Sequence, residues 1–195
     1  MINYPNGKKA KKVVPEEKIS TRKNFNAANR GMALENDLNL SNEYYRDANL
    51  AIITKRPTPI KVVKVDYTNG PKIIEAFFEK QSTTDYNGVY KGRYIDFEAK
   101  SVAGKTRFPL ANITSYQFKH LEEVIAHGGI AFFIIEFRGH DEVYLLDAKI
   151  LLDAYYEKKK SLTYEEIKEK GFLVPRLLSP RLDYLPIVNT LYFTE

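Results

Sequence analysis

The order of apolar and polar positions along the chain predicts a fold that contains both strands and helices. Residues 93–100 alternate between apolar and polar side chains, a pattern typical of a strand with one buried face. Residues 130–137 are apolar except for Glu136, and a run of this length suits a strand covered on both faces. Further strands are predicted over residues 51–54 and 142–146. The expected fold class is therefore α/β, with a mixed central sheet flanked by helices.

Four segments carry helical signals. Gly128 and Gly129 end an amphipathic segment, and Asp147 is placed to cap the helix that follows a predicted strand. Thr163 and Glu166 have the spacing of a capping box, which marks the start of a short helix. The four helices are expected over residues 26–48, over residues 114–127, after Asp147, and from Thr163 to Lys170.

Two segments before residue 80 favour a two-stranded projection. Residues 60–66 and 72–78 flank Tyr67-Thr68-Asn69-Gly70-Pro71, which is a strong turn sequence. The second segment also has the composition of a helical turn, so both structures are open for it. We expect a protruding stalk at about residues 57–80.

The last segment, residues 172–195, contains three prolines and many leucines. Because proline disfavours both helix interiors and central strands, we expect irregular structure with a short strand near residues 191–193. Arg176 and Arg181 could contact phosphate groups. The apolar content of the segment could instead serve a dimer interface.

The stretch from Thr83 to Lys100 predicts a hairpin, and its register decides which side chains meet. With Lys91-Gly92 as a two-residue turn, paired positions sum to 183, and Asp85 lies opposite Glu98. With Asn87-Gly88 as the turn, Asp85 would lie opposite Tyr90 instead. We favour the Lys91-Gly92 register because it leaves two strands of ordinary length.

In the favoured register two carboxylates face each other, and this predicts a cation between them. Opposed residues have Cβ atoms roughly 4.5–5.5 Å apart, a distance at which like charges repel. Mg²⁺ suits the pair, because it prefers carboxylate oxygens and uses its remaining positions for water and substrate phosphate. By strand alternation Lys100 shares the face of Glu98, and Thr83 shares that of Asp85. An ordinary solvated strand edge is the alternative for Glu98 and Lys100 taken alone, and Asp85 in the same hairpin favours the metal site.

Gln117 is a polar residue on the apolar face of the second predicted helix, together with Ile113, Leu121 and Val124. A buried amide left unpaired costs about 1–3 kcal/mol, so Gln117 needs a partner. The metal site and a backbone hydrogen bond are both open as that partner. His120, His127 and His140 are too scattered to form a metal triad, and no role is predicted for them.

Composition and charge indicate the compartment and the kind of partner. The chain has no Cys and no apolar run of 18 residues, so a cytoplasmic protein without a membrane contact is expected. Through residue 30 there are eight Lys or Arg and two Glu, a net charge of +6, which leaves −1 on the remainder of a chain that carries +5. This basic arm favours a polyanionic partner, although solubility alone would also explain it. Residues 1–25 are expected to be disordered in the free protein, and residues 26–195 to form a single domain.

An aspartate followed by a hairpin and then Glu98-Ala99-Lys100 resembles the motif of the PD-(D/E)xK nuclease superfamily. More specifically, residues 83–101 and 108–113 resemble the RecU family of Holliday junction resolvases, and the resemblance covers most of the chain from Arg30 onward. Thr84 stands where the superfamily motif has proline. Because that proline is not a ligand, the chemistry is not affected.

The resemblance implies a restriction-endonuclease-like fold and an endodeoxyribonuclease that resolves four-way DNA junctions in recombination and repair. A homodimer would nick opposing strands symmetrically and leave 5′-phosphates, and the RecA recombinase is a further implied partner. The cofactor would be Mg²⁺, with Mn²⁺ as a substitute. The implied metal residues are Thr83, Asp85, Glu98 and Gln117, and the implied catalytic residues are Asp85, Glu98 and Lys100.

The resemblance also assigns roles outside the hairpin. In the superfamily the first helix presents a glutamate near the metal, which makes Glu35 a candidate, although a solvated helix position would explain it equally. The stalk would enter the junction centre with Phe78 stacking on bases, whereas a place in the core is the alternative for this side chain. The implied DNA-binding residues are Arg30, Lys61, Lys64, Lys72, Phe78 and Lys80.

Two functions of other kinds stay open. The first is a restriction-type or repair nuclease of the same fold that cuts linear duplex. The second is a non-catalytic module that binds DNA or regulates a recombinase.

Overall fold

A computed structural model of the chain describes residues 30–78 and 83–193. Six strands form a central sheet in the order β1-β4-β5-β7-β8-β10, in which β5 and β7 pair in parallel and the other neighbours are antiparallel. The mixed sheet confirms the α/β class. Its strands are β1 (Ala51–Lys55), β4 (Tyr86–Tyr90), β5 (Arg93–Val102), β7 (Ile130–Phe137), β8 (Glu142–Asp147) and β10 (Phe172–Leu173).

Helices cover both faces of this sheet, as expected for a strand such as β7 that is buried at every position. One core cluster places α1 and α5 side chains, including Leu34 and Val188, against Phe97 and Phe132 of the sheet. The other cluster places α2, α3 and α4 against the opposite face of β7. The helices are α1 (Arg30–Asp47), α2 (Ser115–Ala126), α3 (Ala148–Tyr156), α4 (Tyr164–Lys170) and α5 (Leu185–Tyr192), with a short 3-10 helix at Leu110–Asn112.

Two small antiparallel pairs complete the strands, and one of them is the predicted two-stranded segment. It consists of β2 (Ile60–Asp66) and β3 (Lys72–Phe78), so the helical alternative for the second segment is wrong. Most of its residues are exposed, because neither strand pairs with a third strand among the described residues. The second pair joins β6 (Arg107–Pro109) to β9 (Ser161–Thr163).

The hairpin of β4 and β5 has the favoured register. Tyr86 pairs with Phe97 and Tyr90 with Arg93, as the Lys91-Gly92 turn requires. Both turn residues have positive φ, 48° and 78°, which is the backbone of the two-residue hairpin turn. The alternative turn at Asn87-Gly88 is therefore excluded.

Gly88 allows β1 to approach β4 closely. A Cβ added at Gly88 would lie 2.0 Å from the carbonyl oxygen of Ile52, far closer than two non-bonded atoms can come. The glycine is required here by the close contact between the strands and not by the turn.

The end of the chain departs from the sequence prediction. Residues 185–192 form helix α5, and the short strand expected near residues 191–193 is wrong. Pro186 lies in the first turn of this helix, where its missing N–H has no helical partner to lose. Leu185 and Val188 are three residues apart and both buried, a helical spacing that outweighs the proline.

Arg176 and Arg181 make ion pairs within the protein, and the phosphate contact considered from the sequence stays a prediction. Arg176 pairs with the buried Glu136 at 2.7 Å and with Asp37 at 2.9 Å, and Arg181 pairs with Asp37 at 3.3 Å. These pairs connect α1, β7 and the segment before α5.

The predicted disordered arm, residues 1–25, lies outside the described residues. Among residues 30–78 and 83–193, no helix is both long enough and apolar enough to cross a membrane.

Candidate active site

Asp85 and Glu98 lie side by side at the start of the β4–β5 hairpin. The backbone N–H of Asp85 donates to Glu98 Oε2 across 3.1 Å, and the Asp85 carboxylate accepts from the backbone N–H of Ala99 across 3.1 Å. The register that pairs Tyr86 with Phe97 produces this arrangement, since Asp85 and Glu98 are the next residues outward. The expected proximity of the two carboxylates is confirmed.

Burial and the neighbouring negative charge of Asp85 destabilise the ionised form of Glu98. Its side chain is inaccessible to solvent. Desolvation, and after it the negative charge of Asp85, raises the pKa of Glu98 from 4.5 to about 7, against the opposing effects of Lys100 and Gln117. A cation placed between the two carboxylates would offset both the desolvation of Glu98 and its repulsion by Asp85.

Lys100 lies on the same face of β5 as Glu98, as strand alternation predicts. Its Nζ is 2.5 Å from Glu98 Oε1, and its side chain is about one quarter exposed. The ammonium group therefore borders both the buried carboxylate and solvent, which is the position that a phosphate would have to reach.

Gln117 connects helix α2 to the site. Its side-chain oxygen accepts from the backbone N–H of Thr114 in the capping box that opens the helix, and its Nε2 donates to Glu98 Oε1 across 2.6 Å. The backbone donor fixes which end of the amide is oxygen. The sequence left a backbone group and the metal site open as the partner of Gln117, and the structure shows that Gln117 contacts both a backbone group and a carboxylate of the candidate site.

Thr83 lies beside these residues, in the turn that precedes β4. Its hydroxyl accepts a hydrogen bond from the Arg56 guanidinium, and the backbone N–H of Arg56 donates to the Asp85 carbonyl across 2.7 Å. Arg56 thus holds the segment that carries Thr83 and Asp85.

Glu35 lies on α1 and contacts residues of β1 and β4. Its carboxylate forms an ion pair with Lys55, and its backbone carbonyl accepts from the Tyr86 hydroxyl across 3.2 Å. Burial, and then the charges of Glu35 and Asp85, raises the pKa of the Tyr86 phenol above its usual value. Both carboxylates therefore act on one phenol, and Glu35 borders the candidate site.

The proposed DNA-contacting residues of the stalk lie on the separate β2–β3 pair. Phe78 is 81% exposed and Phe77 60% exposed, so neither is a core residue. Lys61 pairs across the strands with Phe77, and Lys64 with Glu75. Lys72 begins β3. The side chain of Arg30 and the whole of Lys80 lie outside the described residues.

Three residues near the site had no predicted role. Asp96, Arg56 and His120 meet in one cluster, in which the buried Asp96 carboxylate accepts from Arg56 across 2.7 Å and lies 2.9 Å from His120 Nε2. Strand alternation puts Asp96 on the same face of β5 as Glu98, and the structure buries this second carboxylate completely, so it too needs partners. The partners themselves come from distant parts of the chain.

The donor set fits a hard divalent cation. Asp85 and Glu98 offer carboxylate oxygens, and no group of three or more His, Cys, Asp or Glu side chains forms a metal cluster in the described part of the chain. A site with two carboxylates leaves several coordination positions to water and substrate, which is how Mg²⁺ is usually bound. It does not fit the nitrogen- and sulfur-rich set that holds structural zinc.

Comparison with known proteins identifies a family whose model covers most of the chain. The family model RecU, described as Recombination protein U, matches residues 29–190. Proteins named Holliday junction resolvase RecU are similar along their whole length. The one from Bacillus cytotoxicus is 47% identical over 99% of this chain and 99% of its own, and the one from Bacillus thuringiensis is 48% identical over the same shares.

A third relative of the same name, from Geobacillus kaustophilus, is 46% identical over 100% of this chain and 99% of its own. Among solved structures, Archaeoglobus fulgidus Hjc, described as a Holliday junction resolvase, aligns with a TM-score of 0.47 and 12% identity over 73% of this chain and 95% of that chain. The identity to the curated relatives and the extent of the family match are what decide the assignment. The chain belongs to the RecU family.

Proposed function

We propose that this protein is a divalent-metal-dependent endodeoxyribonuclease that resolves four-way DNA junctions. One structural observation carries the catalytic part of the proposal, namely that the backbone N–H of Asp85 donates to Glu98 Oε2 across 3.1 Å and Lys100 Nζ lies 2.5 Å from the same carboxylate. Near-full-length relatives named Holliday junction resolvase support the junction as substrate.

Each residue of the proposed site has a role that follows from its position. A bound Mg²⁺ would lower the pKa of a coordinated water and polarise the scissile phosphate. Asp85 and Glu98 supply the charge that holds the cation, and Gln117 fixes the orientation of the Glu98 carboxylate. Lys100 stabilises negative charge that develops on the phosphate, or accepts a proton when it is neutral. Thr83 and Glu35 are supporting candidates at the border of the site.

Substrate selection is assigned to the stalk. The exposed Phe78 has an open ring face for stacking on an unpaired base, and base–aromatic stacking contributes about 1–3 kcal/mol. Lys61, Lys64 and Lys72 supply cations on the same pair of strands, and Arg30 and Lys80 are further proposed contacts. We propose that the stalk enters the junction where the four arms meet.

A homodimer would place two active sites symmetrically, so that opposing strands are nicked in pairs. Mn²⁺ is expected to replace Mg²⁺, because both cations accept carboxylate and water ligands. Action in the cytoplasm stays a prediction from composition, and contact with the RecA recombinase stays a prediction from the resemblance.

The decisive experiment compares a mobile four-way junction with its linear arms in Mg²⁺, using end-labelled strands. We expect paired nicks in the junction and intact arms. Asp85→Asn should bind the junction in Ca²⁺ and leave it uncut, while Lys119→Met, which changes an exposed lysine on α2, should cut normally. Cleavage of the linear arms at the same rate as the junction would favour a duplex nuclease. If wild-type protein leaves the junction uncut, the nuclease is excluded and a non-catalytic DNA-binding module is favoured.

A further inference from the structure

The Asp96 carboxylate receives hydrogen bonds from several separate parts of the chain. It is fully buried and lies two residues before Glu98 on β5. Charged groups are rarely buried unless they are paired, and a buried carboxylate is costly without charge-assisted partners. Its partners are the hydroxyls of Thr84 and Tyr94, the Arg56 guanidinium and the His120 ring.

Two of these partners control the segment that carries Asp85. Thr84 is the residue before Asp85, is inaccessible to solvent, and donates from its hydroxyl to Asp96 Oδ1. Arg56 donates to Asp96 Oδ2 through one guanidinium nitrogen and to the Thr83 hydroxyl through the other. Residues 83–85 precede β4, and these side-chain bonds position them together with the backbone hydrogen bond from the Arg56 N–H to the Asp85 carbonyl.

A third partner controls the other side of the site. His120 lies one helical turn after Gln117 on α2, so the two side chains extend from the same face of the helix. His120 Nε2 lies 2.9 Å from Asp96 Oδ2, and Gln117 Nε2 lies 2.6 Å from Glu98 Oε1. The two contacts join α2 to alternate inward positions of β5, and the first contact fixes the helix from which Gln117 reaches Glu98.

We infer that Asp96 is a positioning residue for the proposed metal site: one buried carboxylate holds both the 83–85 segment and helix α2, and so sets the distance between Asp85 and Glu98. Thr84 and His120 transmit this effect and contact neither metal nor substrate. The inference rests on the proposed function, because it concerns the geometry of that same site. Groups that orient metal ligands from behind commonly change metal affinity or activity by about 10–100-fold when they are replaced.

The test measures Mn²⁺ affinity of the DNA-free protein by calorimetry, together with thermal unfolding and junction cleavage. Thr84→Val keeps the shape of the side chain and removes its donor, and we expect Mn²⁺ to bind about tenfold more weakly. Thr84→Ser restores the hydroxyl and should recover most of the affinity. His120→Leu and Asp96→Asn should also weaken Mn²⁺ binding, and raising the Mn²⁺ concentration should restore cleavage in part.

Tyr184→Phe is the matched control. It removes the donor of a buried hydrogen bond to Asn42 on the opposite face of the sheet, so it should lower the unfolding temperature and leave Mn²⁺ affinity unchanged. If folded Thr84→Val and His120→Leu proteins bind Mn²⁺ like the wild type, the positioning role is wrong. The same conclusion follows if Tyr184→Phe weakens Mn²⁺ binding as much as Thr84→Val does.

The wild-type protein separates this inference from the proposed function. Wild-type protein that neither binds Mn²⁺ nor cuts the junction would refute the metal-dependent nuclease itself. If the wild-type protein binds Mn²⁺ and cuts the junction, and the variants bind Mn²⁺ with unchanged affinity, only the positioning role of Asp96 is refuted.

Discussion

Asp85 and Glu98 are held together by backbone hydrogen bonds, because the Asp85 N–H donates to Glu98 and the Asp85 carboxylate accepts from the N–H of Ala99. The strands therefore keep the two carboxylates close even though their charges repel. The repulsion can be relieved by a proton, by Lys100, or by a metal ion. The proton, Lys100 and the metal ion compete for the same two carboxylates, and this competition determines how the site responds to pH and to substitution.

In the absence of metal, stability should depend on the protonation of Glu98. Its pKa is raised to about 7 in the folded state, above the ordinary 4.5. The folded protein therefore binds this proton more tightly than the unfolded chain, and the resulting stability is complete below pH 4.5 and is lost as pH rises through 7. In EDTA, we expect the free energy of unfolding to fall by about 3 kcal/mol over this range, measured by urea titration.

Glu98→Gln is the control for this pH dependence. It removes the titrating group, so the contribution of residue 98 between pH 4.5 and pH 7 should disappear. An unchanged pH profile in Glu98→Gln would assign the dependence to another group.

Lys100→Met should separate catalysis from binding. Loss of one preorganised charge at a reacting phosphate commonly costs about 10²–10³-fold in rate. We expect a reduction of this size in junction cleavage at saturating Mg²⁺, with junction affinity in Ca²⁺ little changed, because the remaining cations of the protein are untouched. The substitution also removes the ammonium beside Glu98, so the metal-free pKa of Glu98 should rise further. Cleavage equal to that of the wild type would exclude Lys100 from the chemistry.

Gln117→Leu should affect both the helix and the site. The change deletes the acceptor for the Thr114 N–H in the capping box and the donor to Glu98. Loss of these bonds should lower the free energy of unfolding by about 1–3 kcal/mol, measured by chemical denaturation. Gln117→Glu keeps the acceptor and replaces the donor by a carboxylate, so it should keep the helix cap and impair metal-free stability mainly above pH 7. A neutral effect of Gln117→Leu would contradict this dual role.

Phe78→Ala should impair junction recognition without destabilising the protein. The ring is 81% exposed, and exposed substitutions usually change stability by less than about 0.5 kcal/mol. If Phe78 stacks on a base, its loss should weaken productive junction binding by about 1–3 kcal/mol, measured as the change in kcat/KM for the junction. Phe77→Ala is the matched control, because neighbouring residues of a strand point to opposite faces. Equal effects of the two substitutions would argue against a specific stacking position.

Arg176→Met should act on stability alone. Arg176 pairs with Glu136, which is inaccessible to solvent and also accepts a hydrogen bond from Ser101. Removing the cation takes away the salt-bridge partner of a buried carboxylate and should cost up to about 3–5 kcal/mol in urea titrations. Adding Glu136→Gln should recover part of this loss, because the buried negative charge is then absent. Folded Arg176→Met should bind the junction with unchanged salt dependence. A reduced salt dependence would restore the phosphate contact that the ion pairs now argue against.

The sequence alone was sufficient for the features that depend on local spacing. Strand alternation predicts which residues of the hairpin share a face, and the Lys91-Gly92 turn, favoured over Asn87-Gly88 because it leaves strands of ordinary length, predicts that Asp85, Glu98 and Lys100 lie together. The buried amide of Gln117 could likewise be recognised from the helical pattern. Both signals come from residues close in sequence, where geometry leaves few alternatives.

Features that depend on distant partners were not predictable in this way. Asp96 is bonded by Arg56 and His120, which are 40 and 24 residues away, and no local pattern links the three. The ion pair of Arg176 with Glu136 spans 40 residues, although a glutamate in an otherwise apolar strand is a sign that a buried cation is needed. The C-terminal helix was missed because Pro186 was interpreted without regard to its place in the first turn.

One amide joins the start of helix α2 to the carboxylate of the candidate site. Gln117 accepts from the Thr114 N–H and donates to Glu98, so fraying of the first helical turn would remove one of the contacts that hold that glutamate. Amide hydrogens at the beginning of α2 should therefore exchange with solvent deuterium more slowly once a divalent cation is added. The hydrogen exchange of a helix terminus would in this way report whether the candidate metal site is occupied.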